Sequence, residues 1–497
     1  MSQGKSGGAL SAGAAEERPA GAKATEAAGL ATSGEVSSSR AQSLRGASRR
    51  VDMTRGPIVE RLIALAWPLF VGNILNTFYN LADMYWVSLV GTDEVAAVAI
   101  TFPTVWLTFS LGMGVTIAGV AFVAQYTGAG KNDEAAHVAG QVVLLATAAG
   151  VLLALVAIAF RDAIAAWMGA QGRVLELAST YLLITSAGLP FKYIYYAYRS
   201  VSQGTGDSKT PRNLLLLTTM TNVVLDPFFV LGWAGLPAMG VAGAAWATLI
   251  AEGIGAAVSL LYLMNGRLVG VRLRFSHLAP DWGLIHKIAE LGLAGSLDMG
   301  SRGLSSVAVA AIVSRFGTVE AAAYGIVNRL MSVVWTSSGA MEQAAASGVG
   351  QNLGAGQIER ASRLAWTGAA VMFSFLTAVA ALLYLFADAI VGVFGVSDQV
   401  VATAVRFLRL HVFSYGFWGA FEVLLGAFRG AGQTLPPAIV TFANRWGFQV
   451  PVALFASYSL GLGPDGYWVT LLVGNVLFFI VTAVWFRLGR WKRSLIA

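Results

Sequence analysis

Cysteine is absent from all 497 residues, which excludes disulfides, thiol nucleophiles and thiolate metal sites. Histidine is scarce: His137, His277, His286 and His411 are the only four, and their separations match no metal-ligand spacing. Asp, Glu, Lys and Arg together make up 12% of the chain, about half of what a soluble globular protein carries. There is no G-x-x-x-x-G-K-[ST] phosphate loop, since Gly130-Lys131 continues into Asn132. The chain is therefore not by itself an ATP-driven pump. With no Ser/His/Asp or metal motif, nothing supports an enzyme, and no cofactor is expected.

What fills the space left by charge is apolar. Hydrophobic residues account for 56% of the sequence, and 57 glycines accompany them, as is common in transmembrane helices. A membrane-spanning helix needs about 20 apolar residues. Twelve such runs can be read: 59–90, 95–125, 136–160, 175–200, 212–233, 240–264, 285–313, 319–349, 361–386, 400–427, 436–459 and 466–487. The predicted fold class is thus all-α integral membrane, with twelve transmembrane helices. The formal charge of +7 is read as an excess of cytoplasmic loop charge, so no nucleic-acid partner is expected. Lys131, Arg199, Lys209, Arg212, Arg267, Arg272, Arg274, Lys287, Arg360, Arg363, Arg429 and the tail Arg487, Arg490, Lys492 and Arg493 fall in alternate connections, which predicts that both termini are cytoplasmic. Residues 1–55, rich in Ala, Gly, Ser and Glu, bury too little to order themselves and are predicted to be a disordered cytoplasmic tail. No apolar core of a signal peptide occurs in it, and it ends in the basic run Arg40, Arg45, Arg49, Arg50, Arg55.

The second half of the chain repeats the first at one constant offset, the step from Val87 to Val313. Val87-Ser88, Gly91-Thr92 and Glu94 recur as Val313-Ser314, Gly317-Thr318 and Glu320. Gln125 and Gly128-Ala129-Gly130 recur as Gln351 and Gly354-Ala355-Gly356, and Gly204, Gly206 and Pro211 recur as Gly430, Gly432 and Pro437. Six helices per half give both halves the same orientation, so they are parallel repeats about an axis along the membrane normal. The expected division is an N-lobe at 56–264, a linker at 265–284 and a C-lobe at 285–497.

Against this repeat one asymmetry stands out. Asp83 and Asp226 lie within apolar runs, yet the matching positions in the second half are Val309 and Val452. An ionisable residue at membrane depth is costly and marks a functional site. Asn73, Asn76, Asn80 and Asp83 follow one another at spacings that place them on one face of the first helix. That face must line a water-filled cavity or pack on another helix. Asn222 and Asp226 lie one turn apart, and Pro227 removes a hydrogen bond from the Val223 carbonyl. Carboxylates, an amide oxygen, a freed carbonyl and the hydroxyl of Thr248 suit a proton or a hard cation such as sodium. Two carboxylates in one low-dielectric site repel each other, which favours proton uptake by one of them. Tyr181 is a candidate partner for both. Pro68 is a candidate hinge together with Pro227. Lys192 is read as a snorkelling side chain and Tyr193, Tyr195, Tyr196 and Tyr198 as an interfacial belt. In the second half Asp298 and Arg302, one turn apart, are expected to pair, and Glu342, Glu422 and Arg445 are candidates to line a cavity there.

From residue 56 onward the chain resembles the multidrug and toxic compound extrusion family. The resemblance rests on Tyr79-Asn80-Leu81-Ala82-Asp83 followed by Gly91-Thr92, on Gln203 to Pro211, on Asn222-Val223-Val224-Leu225-Asp226-Pro227, and on Gly240 to Ala245. It implies two pseudo-symmetric six-helix bundles around a central cavity. It also implies export of small organic, often cationic, compounds in exchange for H+ or Na+ across the cell membrane. Asp83 and Asp226 match the family's N-lobe acidic pair, Asn222 and Thr248 its cation ligands, Tyr181 a hydrogen-bonding tyrosine, and Pro68 a proline linked to bending of the first helix. Arg302 stands near where some members carry an acid, which argues against a cation site in the C-lobe. Monomeric function among membrane lipids is expected. The rival readings are a flippase of lipid-linked precursors and a non-transporting receptor or scaffold.

Overall fold

A computed structural model describes residues 50–266 and 271–496. The twelve expected segments are present as helical stretches, with no β-strand element among the described residues. They are α1 (Ile58–Ser88), α2 (Thr92–Gly128), α3 (Asn132–Ala159), α4 (Gly172–Ala187 continued by Leu189–Gly204), α5 (Lys209–Leu231) and α6 (Val241–Met264). The second half supplies α7 (Trp282–Ser314), α8 (Thr318–Gly354), α9 (Ile358–Leu385), α10 (Asp398–His411 continued by Val412–Ser414 and Tyr415–Gly430), α11 (Leu435–Phe442 continued through Phe455–Ser459) and α12 (Asp465–Arg487). Seven of these are long and apolar enough to cross a membrane unaided, and the two arms of α4 add an eighth. Of the others, α7 and α8 are long but carry the buried charges described below, while α10 and α11 are broken into shorter pieces.

The helix ends repeat the sequence offset. Ser88 and Ser314, Thr92 and Thr318, Gly128 and Gly354, Ala159 and Leu385, and Gly204 and Gly430 are repeat equivalents, and each pair closes or opens corresponding helices. The arms of α4 meet at 45°, where Pro190 in the first turn of the second arm withholds an N–H from the preceding turn. The equivalent region of α10 is a short 3-10 turn at Val412–Ser414. In α11 the helix widens into π-helical turns at Ala443–Gln449 and Phe455–Ser459, a departure that α5, its counterpart, does not share.

The lobes are not separated at the expected boundary. The first turns of α1 leave their own lobe: Leu62 and Leu65 are buried in the C-lobe core with Val349, Leu353 and Leu364. The first turns of α7 do the reverse, with Ile288 buried among Phe122, Val138 and Val142 of the N-lobe. Leu62 and Ile288 are repeat equivalents, so each half lends the root of its first helix to the other. Each root carries an apolar face that only the neighbouring core covers.

At the end of the molecule where the described chain begins and finishes, here the terminal end, the lobes are locked by a symmetric pair of glutamines. Gln125 donates to the Gly430 carbonyl (3.2 Å) and Gln351 to the Gly204 carbonyl (2.9 Å). Gly128 and Gly354 make the approach possible, because a Cβ on either would strike the Gln351 or Gln125 carbonyl. Each glutamine also holds a segment near one end of the described residues. Gln351 Oε1 accepts from the Met53 N–H (3.1 Å), and Gln125 Oε1 accepts from the Leu495 N–H (2.7 Å). Val51 donates to the Gly206 carbonyl at 2.9 Å, and Val51 and Met53 are buried. Residues 51–53 therefore correct the expectation that order begins only at 56: a short strap has two backbone bonds and an apolar slot to offset its ordering cost. Residues 1–49 of the expected tail, with Arg40, Arg45 and Arg49, lie outside the described residues, as do residues 267–270 of the linker.

The remaining linker docks on α3. Gln141 donates to the His277 and Ala279 carbonyls at 2.8 Å and accepts from the Asp281 N–H at 3.0 Å. Asp281 caps α7, and the Leu284 N–H together with His137 holds its carboxyl below the usual carboxylate range. One expected outcome concerns the strap. Gln351→Leu leaves the Met53 N–H and the Gly204 carbonyl without partners, at about 1–3 kcal/mol for each stranded group. Detergent-purified protein should melt at lower temperature and trypsin should cut faster after Arg55, which is exposed. Unchanged melting and cleavage would show that the strap bears no weight.

Candidate functional site

Four helices of the N-lobe converge on the residues singled out in the sequence. Asp83 comes from α1, Asn222 and Asp226 from α5, Thr248 from α6 and Tyr181 from the first arm of α4, and all five are buried. The i, i+4 spacing in α5 lets Asn222 donate to Asp226 Oδ1 (3.3 Å) and reach the Thr248 hydroxyl (3.4 Å). Tyr79, one turn before Asp83 on α1, donates to the same hydroxyl (3.1 Å). Asp83 and Asp226 lie within Coulombic reach of each other. Three buried oxygens have no hydrogen-bond donor among the described residues: Asp83 Oδ1, Asn222 Oδ1 and Asp226 Oδ2. Buried acceptors without donors are costly. Here they form a set of hard oxygens of the type that takes a proton or sodium. Pro227 lies within α5, which continues through it to Leu231, and Pro68 lies within an unbroken α1.

Asp83 and Tyr181 line a small cavity of about 80 Å³ with Lys192, Thr248 and Glu252. Lys192 does not snorkel as expected. Its ammonium pairs with Glu252 at 3.0 Å, and the two side chains are 30% and 16% exposed. The bend in α4 turns this stretch inward, and Glu252, one turn beyond Thr248 on α6, offers a carboxylate within ion-pair distance. The tyrosines are not a belt either. Tyr193, Tyr196 and Tyr198 are buried in the N-lobe core, and Tyr195 lines a cavity. Sequence reasoning missed Glu252. Its signal was present, a lone carboxylate inside the run 240–264, with Phe478 at the repeat position.

Asn76 and Asn80, exposed on α1, line a cavity of about 230 Å³ with Trp106, Phe109 and Lys192. This fits the expected polar face. Asn73 lies lower and reaches the Thr336 carbonyl of α8 at 3.5 Å. Beyond it a larger cavity, about 380 Å³, lies between the lobes and is lined by Asn73, Asn76, Trp106, Arg199, Trp335 and Glu342 among others.

In the C-lobe the acids Asp298, Glu342 and Glu422 are all paired. Arg302 pairs with Asp298 at 3.3 Å, as expected, and with Glu422 at 2.6 Å. Arg429, read from sequence as a connecting-loop charge, is instead 3% exposed inside α10 and pairs with both Asp298 and Glu342. The reason is that α10 extends to Gly430, and burying a cation there is tolerable only beside carboxylates. Of the C-lobe candidates only Glu342 lines the inter-lobe cavity, next to Arg429. Arg445 lies over the Trp418 ring (5.3 Å) and bonds Gln449 (2.9 Å). Asp298 and Glu422 are buried within their ion pairs.

The lobes thus treat charge differently. Asp298, Glu342 and Glu422 each have an arginine. Of the N-lobe's Asp83, Asp226 and Glu252, only Glu252 has a cation within ion-pair distance among the described residues.

Comparison with known proteins gives a consistent frame. A family model described as MatE matches residues 68–228 and 302–455. The probable multidrug resistance protein YoeA of Bacillus subtilis is 29% identical over 408 residues, spanning 81% of this chain and 88% of that protein. An FAD transporter of Shewanella oneidensis is 23% identical over 430 residues, spanning 86% and 94%. A crystal structure of a MATE protein in a conformation described as bent superposes with a TM-score of 0.83 at 25% identity, covering 88% of this chain and 96% of that one.

Proposed function

The chain belongs to the MatE family, and we propose that it is a secondary antiporter that exports small organic compounds in exchange for sodium ions or protons. The coupling ion binds at Asp83, Asn222, Asp226 and Thr248, with Tyr79 and Tyr181 in support. One observation carries this reading: among the described residues, two buried carboxylates have no cation within ion-pair distance and are flanked by acceptor oxygens without donors, while in the other lobe Asp298, Glu342 and Glu422 are each paired with an arginine. The missing positive charge is supplied by the ion.

Coupling then follows from α1. Its root is buried in the C-lobe core, Pro68 lies just above that root, and the upper part carries Asp83 together with the cavity-lining Asn76 and Asn80. A cation arriving at Asp83 therefore acts on a helix that both lobes share. If the ion and the cargo favour different arrangements of α1, each weakens the other's binding by the same factor. Lys131, Lys209, Arg212, Arg360 and Arg363 border the terminal end, which on charge grounds faces the cytoplasm. The conformation locked at Gln125 and Gln351 is then closed to the cytoplasm. The protein works as a monomer in the cell membrane, where exposed apolar residues such as Leu152, Leu155 and Leu385 face lipid.

The test is transport by purified protein in liposomes, with a cationic and an anionic fluorescent dye in turn and sodium and pH gradients imposed one at a time. Dye movement against its own gradient under one of them identifies the ion. Movement under neither overturns the proposal.

A further inference from the structure

Cargo recognition, within the reading just given, turns on a residue the sequence offered only as loop charge. Arg199 lies in the second arm of α4 and lines the inter-lobe cavity. Each of the other two cations that line the three cavities above has a carboxylate: Lys192 has Glu252, and Arg429 has Glu342 and Asp298. Arg199 has no carboxylate within ion-pair distance among the described residues. Its hydrogen bond goes to a neutral amide oxygen, Gln343 Oε1 of α8, at 2.9 Å. Around it the cavity presents aromatic surface from Trp106, Phe109, Tyr195 and Trp335.

We propose that Arg199 is the anchor for an anionic group, a carboxylate or a phosphate, on an aromatic cargo. A guanidinium is always charged and offers its donors as a planar fork that matches either group with two parallel bonds. One of those donors serves Gln343, and the anion takes others. The rings around Arg199 supply flat apolar surface for the rest of the molecule, where stacking is tolerant of chemical detail. Net charge agrees with this. The inter-lobe cavity holds Arg199, Arg429 and Glu342, so its lining carries a surplus positive charge, whereas the uncompensated carboxylates belong to the separate N-lobe site.

Anchoring also has a consequence for the floor of the cavity. Arg199 and Gln203 of α4 bond Gln343 of α8 through its side chain and its carbonyl (2.9 and 3.0 Å), and Ser347 returns a bond to the Gln203 carbonyl at 2.7 Å. This ladder joins the lobes. An anion on the remaining donors draws the guanidinium into the cavity and weakens its bond to Gln343, so cargo entry loosens a contact that must break for the terminal end to open.

The experiment uses full-length purified protein and three probes of one shape: 2-naphthoate, 2-naphthyl phosphate and neutral 2-naphthamide. Binding is followed by quenching of tryptophan fluorescence. Wild type should bind at least one anion about tenfold or more tightly than the amide, the size expected for a hydrogen bond to a charged group. Preference for naphthoate assigns a carboxylate cargo, and preference for the phosphate ester assigns a phosphate cargo. Arg199→Gln should abolish the preference by weakening the anions far more than the amide, and Arg199→Lys should restore part of it. No preference in wild type overturns the assignment. So does an equal loss for all three probes in Arg199→Gln, since that would make Arg199 a lobe fastener only. Gradient-driven movement of either dye by the wild type is read separately, so failure here leaves the antiporter reading to its own test.

Discussion

Asp226→Asn and Asp83→Asn proteins are expected to fold, reach the membrane and lose gradient-driven export. Each change keeps the side chain's size and removes the charge that the coupling ion neutralises. Coupling free energies between sites are typically about 1–3 kcal/mol, roughly a 5–150-fold change in affinity. The two variants should lie towards the upper end, because among the described residues neither aspartate has a cation within ion-pair distance, and Lys192 is engaged by Glu252. Stability should move the other way. An ionised carboxylate without a counter-cation costs several kcal/mol in a dry interior, so the Asn variants should melt no lower than wild type in detergent. Active efflux in inverted vesicles under an imposed ion gradient is the transport measurement. Undiminished efflux by both variants would falsify the N-lobe coupling site.

The opposite pattern is expected for Asp298→Ala. Asp298 holds Arg302 and Arg429 together, and both arginine side chains are largely buried. Removing the shared acid leaves two cations facing each other, with Glu422 and Glu342 as their remaining partners. Breaking a buried pair in this way costs about 3–5 kcal/mol. The variant should give low yield and a clearly reduced melting temperature, whatever cargo is present. The single losses of Asp298→Ala and Arg429→Ala should exceed their share of the double variant's loss, since the two residues form one network. Melting like that of wild type would mean that the network is not what holds α7 to α10. Together the two experiments separate a lobe in which acids are kept free from one in which they are neutralised.

The candidate coupling residues were legible for a particular reason. A charge inside an apolar run is conspicuous against the cost of burying it, and a duplicated chain supplies its own control. Val309 and Val452 showed that the fold does not require acids at those positions. The i, i+4 spacing of Asn222 and Asp226, read from sequence, became a hydrogen bond of 3.3 Å. Lys192, Glu252 and Arg429 were misread or missed because their meaning depends on a partner far away in sequence. Lys192 and Glu252 belong to different helices, with the whole of α5 between them. Arg429 and Asp298 are separated by 131 positions. No local pattern tells a snorkelling lysine from a paired one, and a charge near a helix end reads as loop until the helix is seen to continue past it. The strap at residues 51–53 escaped notice because the surrounding composition is that of a disordered tail. Only the slot beside Gln351 makes three residues worth ordering.

By itself, the sequence determined the twelve helices, the duplication and its offset, and the confinement of Asp83 and Asp226 to one half. These follow from hydrophobic run length, periodicity and the cost of charge in an apolar setting, all of which act locally along the chain. The tertiary structure alone decided that the root of each half's first helix is buried in the other lobe, that Asp298, Glu342 and Glu422 are each paired with an arginine, and that Arg199 faces the inter-lobe cavity with no carboxylate within ion-pair distance among the described residues. Those outcomes depend on which surfaces meet. Packing and charge pairing are properties of pairs of residues brought together in space, and the chain specifies them only once every helix has found its neighbour.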